Sequence, residues 1–460
     1  MSFIDNLPEV APPTQKRLSF SEKLKWTLIV LIAFFILGLI PLFGLGSNAL
    51  AQFESLSIIL GAEFGSIISL GIGPLVTGSI VLQLLNGSGI WKFDLTTHEG
   101  KAKFQGIQKL FSIGFIVLES AIYVMMGGLA PPELLRGTPA FFSLELLLIF
   151  QLILGGVIIM FLDELCSKWG LHSGISLFIA AGVSKSIFIR AFSPLPSPNN
   201  PDVMVGAIPA LFQSLSIGDP ITAAIMISAL LATILVFALS VYLQAMKIEI
   251  PLSFGRVRGH GIRWPLNFLY TSNIPVILIA ALLANIQLFG RLLQNAGHPW
   301  FGQFSGATPI SGLVLIVQGP NLVEALVTGG ATWVMAGQAA LYFLIMMGGS
   351  VLFSVFWVQS AGLDARTQAK NMLSSGLQIP GFRRDERVLE KILQRYIGPL
   401  TVMGAIGVGF LAAVADVSGA LSRGTGILLS VLIIYQLYEN IARQHMMDIN
   451  PMMRKFMGGG

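Results

Sequence analysis

The apolar positions of this chain fall into long, nearly unbroken runs separated by short polar stretches, without the two-residue alternation of half-buried strands. Runs of this length are candidate membrane spans. They are predicted at about 27–43, 56–86, 107–127, 142–162, 173–192, 220–245, 271–290, 336–358, 396–416 and 425–442. The second run differs from the rest. Its core, Leu56 to Leu85, would extend about 45 Å as a single helix against a hydrocarbon thickness of roughly 30 Å, and Gly61, Gly65, Gly71 and Gly73, with Pro74 behind, interrupt it. One reading is a kinked span hinged at Gly-Pro, because both residues are common in membrane helices. The other is a short half-helix followed by a second piece from Ile72, neither of which spans comfortably. Broken backbone at membrane depth frees N–H and C=O groups that lipid cannot satisfy, so that reading requires the rest of the chain to wrap a cavity around the stretch.

Composition agrees with a polytopic membrane protein: 54% of residues are hydrophobic and 11% charged. Charge then orients the spans. Most of the 28 Lys and Arg residues fall in alternate loops, leaving Arg136, Lys185, Arg190, Arg291 and Arg423 within spans or on the other side. This asymmetry predicts ten crossings with both termini cytosolic. The first 25 residues lack a signal-peptide pattern, so the N-terminus is expected to be kept, and Ser19 with Glu22 fits a capping box that starts an interfacial turn, FSEKLKW. The expected organisation is a cytosolic segment 1–26, an N-terminal half 27–192, an external linker 193–219, a C-terminal half 220–442 with cytosolic loops 246–270 and 359–395, and a cytosolic tail 443–460. Five spans on each side of the linker mean that the halves enter the membrane in opposite directions, as in inverted-repeat transporters and channels. The fold class is an all-α polytopic membrane protein, its ten helices forming two inverted halves around a central pore.

Ionisable groups within spans separate enzymes, ion-coupled carriers and passive pores, and here they are few. Glu119 and Lys185 sit mid-span, and Glu145, Asp163 and Asp416 lie toward span ends. Paired acids or a His/Asp relay at helical spacing, the mark of an ion-driven carrier of small solutes, are not evident. The five histidines are scattered singly without HExxH, and there is no P-loop or dinucleotide fingerprint, so neither an enzyme nor a cofactor or metal site is expected. Cys166, the one cysteine, reads as a packing residue. The two long loops are richer: Arg256, Arg258 and Arg263 are spaced by glycines, and Gly381-Phe382-Arg383-Arg384 precedes a charged helix, Asp385 to Tyr396. Their charge holds loops in the cytosol. Projecting basic tips also suit an anionic partner such as ribosomal RNA or a cytosolic motor.

Several of these stretches carry a closer likeness. EKLKWT (22–27), LGIGPLVTGSIVLQLL (70–85), FQGIQKL (104–110), LDELCSKWGLHSGISLFIAAGVS (162–184), KIEIPLSFGRVRG (247–259), YTSNIPVILIAALLANIQL (270–288), GFRRDE (381–386), YIGPLTVMGA (396–405) and GTGILLSV (424–431) occur in strict order. With them the chain resembles the SecY family in its archaeal form, the pore-forming alpha subunit of the protein-conducting channel. Segments 193–220 and 291–335 match more loosely, and no functional residue is carried over from them.

The resemblance implies an hourglass of ten helices, clamped by a SecE-type single-span subunit with a small beta-type subunit, passing nascent chains with signal sequences and opening sideways to membrane lipid. It implies a plug at about 54–65, covering Glu54, Leu56, Ile58, Ile59, Leu60, Gly61, Glu63, Phe64 and Gly65, in which Glu63 has no assigned role. It places a pore ring at Ile72, Val76, Ile175, Ile179, Ile277 and Leu429, residues that by themselves read equally as packing or lipid-facing side chains. A narrow apolar ring dewets and blocks ions yet parts around any passing polypeptide. A sideways gate between the second and third spans and the seventh and eighth would carry the polar cluster Thr77, Glu119 and Asn285, and Glu119 is equally a carboxyl satisfied by neighbouring helices. Arg256, Arg258, Arg383 and Arg384 would contact the ribosome. Arg384 stands where the bacterial-type motif has proline, so requirements specific to bacterial motors do not carry over.

Overall fold

The computed structural model describes residues 8–15, 18–50, 62–87, 90–91, 93, 97–196, 203–254, 261–271, 274–306, 308–374, 377–378, 385–422 and 424–449. Eight of its helices are long and apolar enough to cross a membrane: α3 (His98–Met125), α4 (Pro139–Trp169), α5 (Gly174–Phe192), α6 (Pro220–Ala245), α7 (Ile274–Asn295), α8 (Trp333–Ser360), α9 (Glu386–Val417) and α10 (Gly424–Ile449). Two shorter helices, α1 (Phe20–Gly38) and α2 (Gly73–Gly87), stand where the other two crossings are expected. The protein is a multi-pass membrane protein. Large apolar side chains such as Ile32, Phe150, Leu231, Ile234 and Leu344 are exposed on the outside of the bundle, where lipid replaces water as their solvent.

Three boundaries differ from expectation for physical reasons. The capping box closes in both directions, Ser19 N donating to Glu22 Oε2 and Glu22 N to Ser19 Oγ, each at 3.3 Å. It therefore starts α1 itself, and FSEKLKW is continuous with the apolar helix that follows. The charged helix after Asp385 likewise runs unbroken into the ninth span. Asp385 caps it through Arg387 N at 2.9 Å, and Pro399 sits inside the continuous helix. The linker 193–219, read as polar and proline-rich, contains the apolar helix Ala207–Ile217, which ends on Gly218 at φ 81. Strands are confined to loops. β1 (Ser47–Asn48) pairs with β2 (Leu129–Ala130), and β3 (Lys247–Phe254) forms a hairpin with β4 (Gly261–Asn267). A second hairpin joins β5 (Phe304–Ser305) to β6 (Thr308–Pro309), and β7 (Leu377–Gln378) pairs with β3.

The two five-helix halves meet along two lines. On one, α2 packs against α7 and α8; on the other, α5 packs against α10. Burial ranks the helices between centre and rim. In its most apolar stretch α7 is 72% buried, whereas α6, the most hydrophobic of the eight, is only 17% buried. Greasiness alone does not place a helix at the centre, because lipid accepts it equally. Close approach does need small residues: a Cβ on Gly78 of α2 would stand 3.0 Å from Ser112 N of α3, and one on Gly155 of α4 would collide with Ile67 O.

Candidate functional site

The interrupted stretch accounts for its own backbone. Between residues 63 and 73 the chain is a series of tight turns, with Ser66 N on Glu63 O (3.0 Å), Ser69 N on Ser66 O (3.0 Å) and Gly71 N on Ile68 O (2.9 Å). Serine hydroxyls take up groups that a helix would have paired. Gly65 N donates to Ser69 Oγ (2.8 Å), and Ser66 Oγ donates to Glu63 O (2.7 Å). The exit of α1 supplies more, through Ile67 N on Ile40 O (3.0 Å) and Leu42 N on Gly65 O (2.9 Å). Asn48 Nδ2 caps Phe64 O at 3.0 Å. Gly65 and Gly71 have φ of 98 and 56, values that L side chains rarely adopt. Regular helix begins at Gly73, so the described part is a broken entry and not a kinked span. Residues 54–61 of the expected plug, including Glu54, Leu56, Ile58, Ile59, Leu60 and Gly61, lie outside the described residues; Glu63, Phe64 and Gly65 lie in the turns.

At the end of that entry the six expected ring residues lie in or against one large apolar cluster drawn from both halves. Ile72, Val76, Ile179, Ile277 and Leu429 are all buried members of one apolar cluster, and Ile175 packs against it half-buried. They stand at the beginnings of four helices, α2, α5, α7 and α10, two from each half.

Two aspartates fix two of those beginnings, which the sequence had left as bare span-end charges. Asp163 of α4 accepts from Ile175 N (3.0 Å) and Ser173 Oγ (3.2 Å), so the preceding helix caps α5. Asp416 of α9 does the same for α10, accepting from Thr425 N (2.9 Å), from Thr425 Oγ1 and from Tyr342 Oη of α8 (2.6 Å). The fourth helix of each half caps the fifth, in line with the inverted arrangement. No local pattern marks either contact, because the partner lies across a turn on another helix.

One helical residue beyond Val76, a polar chain crosses between the halves. Asn285 Nδ2 of α7 donates to Thr77 Oγ1 of α2 (2.9 Å), and Thr77 Oγ1 donates to Glu119 Oε1 of α3 (3.1 Å), with Gly73 O (2.9 Å) as its other acceptor. Glu119 is fully buried and Asn285 nearly so. Glu119 Oε2 and Asn285 Oδ1 are buried without a hydrogen-bond partner among the described residues. Further along the same line, Gly87 of α2 accommodates the Phe356 ring of α8.

The loop arginines Arg256, Arg258, Arg383 and Arg384 lie outside the described residues. Their supports are described. The β3–β4 hairpin carries one tip, and β7 from the loop between α8 and α9 adds to it at Ser253↔Gln378 and Phe254↔Leu377, so the two loops share one small sheet.

The SecY family model matches residues 66–438. A curated relative, the protein translocase subunit SecY of Methanothermobacter thermautotrophicus, is 44% identical over 456 residues, 98% of this chain and 97% of its own. The chain belongs to the SecY family. Its fold agrees at the level of whole chains. It matches a structure described as the plug domain of the SecY protein stabilising the closed state of the translocation channel and maintaining a membrane seal, with TM-score 0.82, 40% identity and 98% of each chain covered. It also matches Sec61 in the canine ribosome-channel complex from the endoplasmic reticulum, with TM-score 0.80, 39% identity and 98% coverage of each chain. SecY-family membership gives the ten-helix, two-half reading a family setting and leaves each side chain's role to be argued from position.

Proposed function

We propose that this chain is the central pore-forming subunit of a Sec translocon, conducting unfolded secretory polypeptides across the membrane and releasing hydrophobic segments sideways into lipid. The observation that supports this reading is that the expected ring residues of both halves share one buried apolar cluster, and that a polar chain links the halves from the residue next to Val76. An apolar waist that binds no particular side chain suits a substrate of arbitrary sequence. A seam between α2 and α7–α8 gives such a substrate a lateral exit. Residues 54–65 act as the plug, Thr77, Glu119 and Asn285 as the gate cluster, and the paired loops as the cytosolic docking platform for a ribosome with its nascent chain. A SecE-type single-span subunit and a small beta-type subunit complete the complex in the plasma membrane, with both termini cytosolic.

Reconstitution with purified ribosomes presenting a signal-bearing nascent chain tests the class. Protease protection of that chain, without uptake of small solutes, is the expected result; solute uptake without protection would make the chain a transporter. Reversing charge at Arg256, Arg258, Arg383 and Arg384 is expected to weaken ribosome binding, and wild-type affinity is expected to fall as salt rises. Unchanged binding in the reversed variants would remove the docking role and leave the fold intact.

A further inference from the structure

Two charges in the membrane region have no part in ring, gate or docking, and the structure brings them together. Lys185 lies on α5 and Glu63 at the start of the turns that lead into α2, with Nζ 2.5 Å from Oε1. The other ion pairs among the described residues involve Lys103, Lys109, Lys168 and Lys247, near the charged loops. A lysine within a span costs a few kcal/mol unless something holds its charge, and here the Glu63 carboxylate does.

Its surroundings say what it holds. Phe178, seven residues earlier on the same face of α5, stacks on Phe34 of α1 at 4.5 Å, so this face looks toward α1. One turn beyond Phe34, Gly38 leaves room for Glu63: a Cβ there would lie 3.1 Å from Glu63 Cγ. The Glu63 carboxylate is thereby seated against the end of α1 and aimed at α5. Its main chain is held from the other side, because Ser66 and Ser69 both donate to Glu63 O, at 2.7 and 3.2 Å. Glu63 is thus the junction between a backbone knot that stays with α1 and α2 and the residues N-terminal to it.

We propose that the Glu63–Lys185 pair is a charged latch that holds the C-terminal root of the plug against α5 and sets how hydrophobic a signal sequence must be to open the channel. The proposal rests on the plug reading of residues 54–65. Moving the plug pulls its root off α5, separates the charges and leaves the ammonium without its partner. With side chains 45% and 44% exposed, the pair is partly solvated, which suits a latch that must release.

Resting conductance in planar bilayers, measured on the reconstituted channel, tests it. Lys185→Gln and Glu63→Gln are each expected to raise the open frequency roughly two- to fivefold, the range for a partly exposed pair. They should also let weakly hydrophobic signal sequences through. The charge swap Glu63→Lys with Lys185→Glu is expected to return both readouts toward wild type, which a packing role would not do. In a background lacking residues 54–61 the Gln variants are expected to add nothing. If that deletion raises conductance while the Gln variants match wild type, or if the swap fails to restore closure, the latch is overturned and the plug stands. If the Gln variants still add leak in the deletion background, Lys185 acts elsewhere and the latch is again overturned. If the deletion itself leaves conductance unchanged, the plug reading fails and the latch falls with it.

Discussion

Val76 and Thr77 are neighbours on α2, yet one lies in the apolar cluster proposed as the ring and the other in the polar chain proposed as the gate, and the two are held by opposite kinds of contact. The proposed ring side chains of α2, α5, α7 and α10 are held by apolar burial, which needs no particular angle. The seam is a directed chain of hydrogen bonds from Asn285 through Thr77 to Glu119, and it ends on two buried oxygens without partners among the described residues. An apolar seal fails when it hydrates; a polar one fails when its geometry is lost. In the ring, stability scales with how much apolar surface is kept. In the seam, a half-satisfied network sets a shallow threshold.

The strongest way to break the comparison is to make the ring polar. Changing two of Ile72, Ile179, Ile277 and Leu429 to serine removes burial worth roughly 2–5 kcal/mol each in total stability. If about 1 kcal/mol per residue falls on the closed ring, the pair shifts closure roughly 25-fold, and planar-bilayer records are expected to show persistent leakage. Deleting residues 54–61 in an otherwise native channel is expected to give briefer openings, because the ring still closes beneath. Ring variants that conduct no more than wild type would make these side chains ordinary packing.

A second, smaller effect is expected at the caps behind the ring. Asp163→Ala and Asp416→Ala each strip an N-terminal cap worth about 0.5–2 kcal/mol, loosening α5 and α10 where they carry Ile175, Ile179 and Leu429. Leakage is expected to rise about three- to tenfold, more for Asp416, which also holds Tyr342 of α8. The asparagine variants keep an acceptor and are expected to fall between. Equal conductance in the alanine and native channels would show that the ring closes without these caps.

The sequence made some of this legible and hid the rest for identifiable reasons. Span 220–245 coincides with α6, because Asp219 and Pro220 mark its start locally, the Asp219 side chain bonding Ile221 N and Thr222 N. The charged helix after Asp385 and the ninth span were read as separate elements, because charge at Glu386–Arg395 marks residues outside the membrane and does not show that the same helix carries on into it. Ring isoleucines came from family resemblance alone, since an apolar residue in an apolar helix says nothing about which way it faces. Asp163, Asp416 and the Glu63–Lys185 pair were visible as charges without purpose; their partners are tertiary, 122 residues apart in the last case. The strands of the paired loops were not anticipated; Pro265 lies on the outer strand β4, and Pro251 lies on β3 outside the two residues that β7 pairs, positions where a missing N–H is tolerated.

The finest test lies in the seam, where two substitutions of similar size should act in opposite directions. Asn285→Leu removes a buried amide whose Oδ1 has no partner among the described residues and replaces it with apolar contact. The closed seam should tighten. Thr77→Val keeps the shape but takes out the hydroxyl that both receives from Asn285 and bonds Glu119, stranding a buried amide donor and a buried carboxyl together. The closed seam should loosen, because an unmade buried hydrogen bond costs more than a made one gains. Interhelical hydrogen bonds in membranes are worth roughly 1 kcal/mol, so each shift is about fivefold in occupancy, one up and one down. Cysteine crosslinking between α2 and α7 reads that occupancy directly. Shifts of the same sign, or none, would mean that the seam is held by its apolar contacts, Gly87 against Phe356 among them, and that it differs from the ring in place but not in kind.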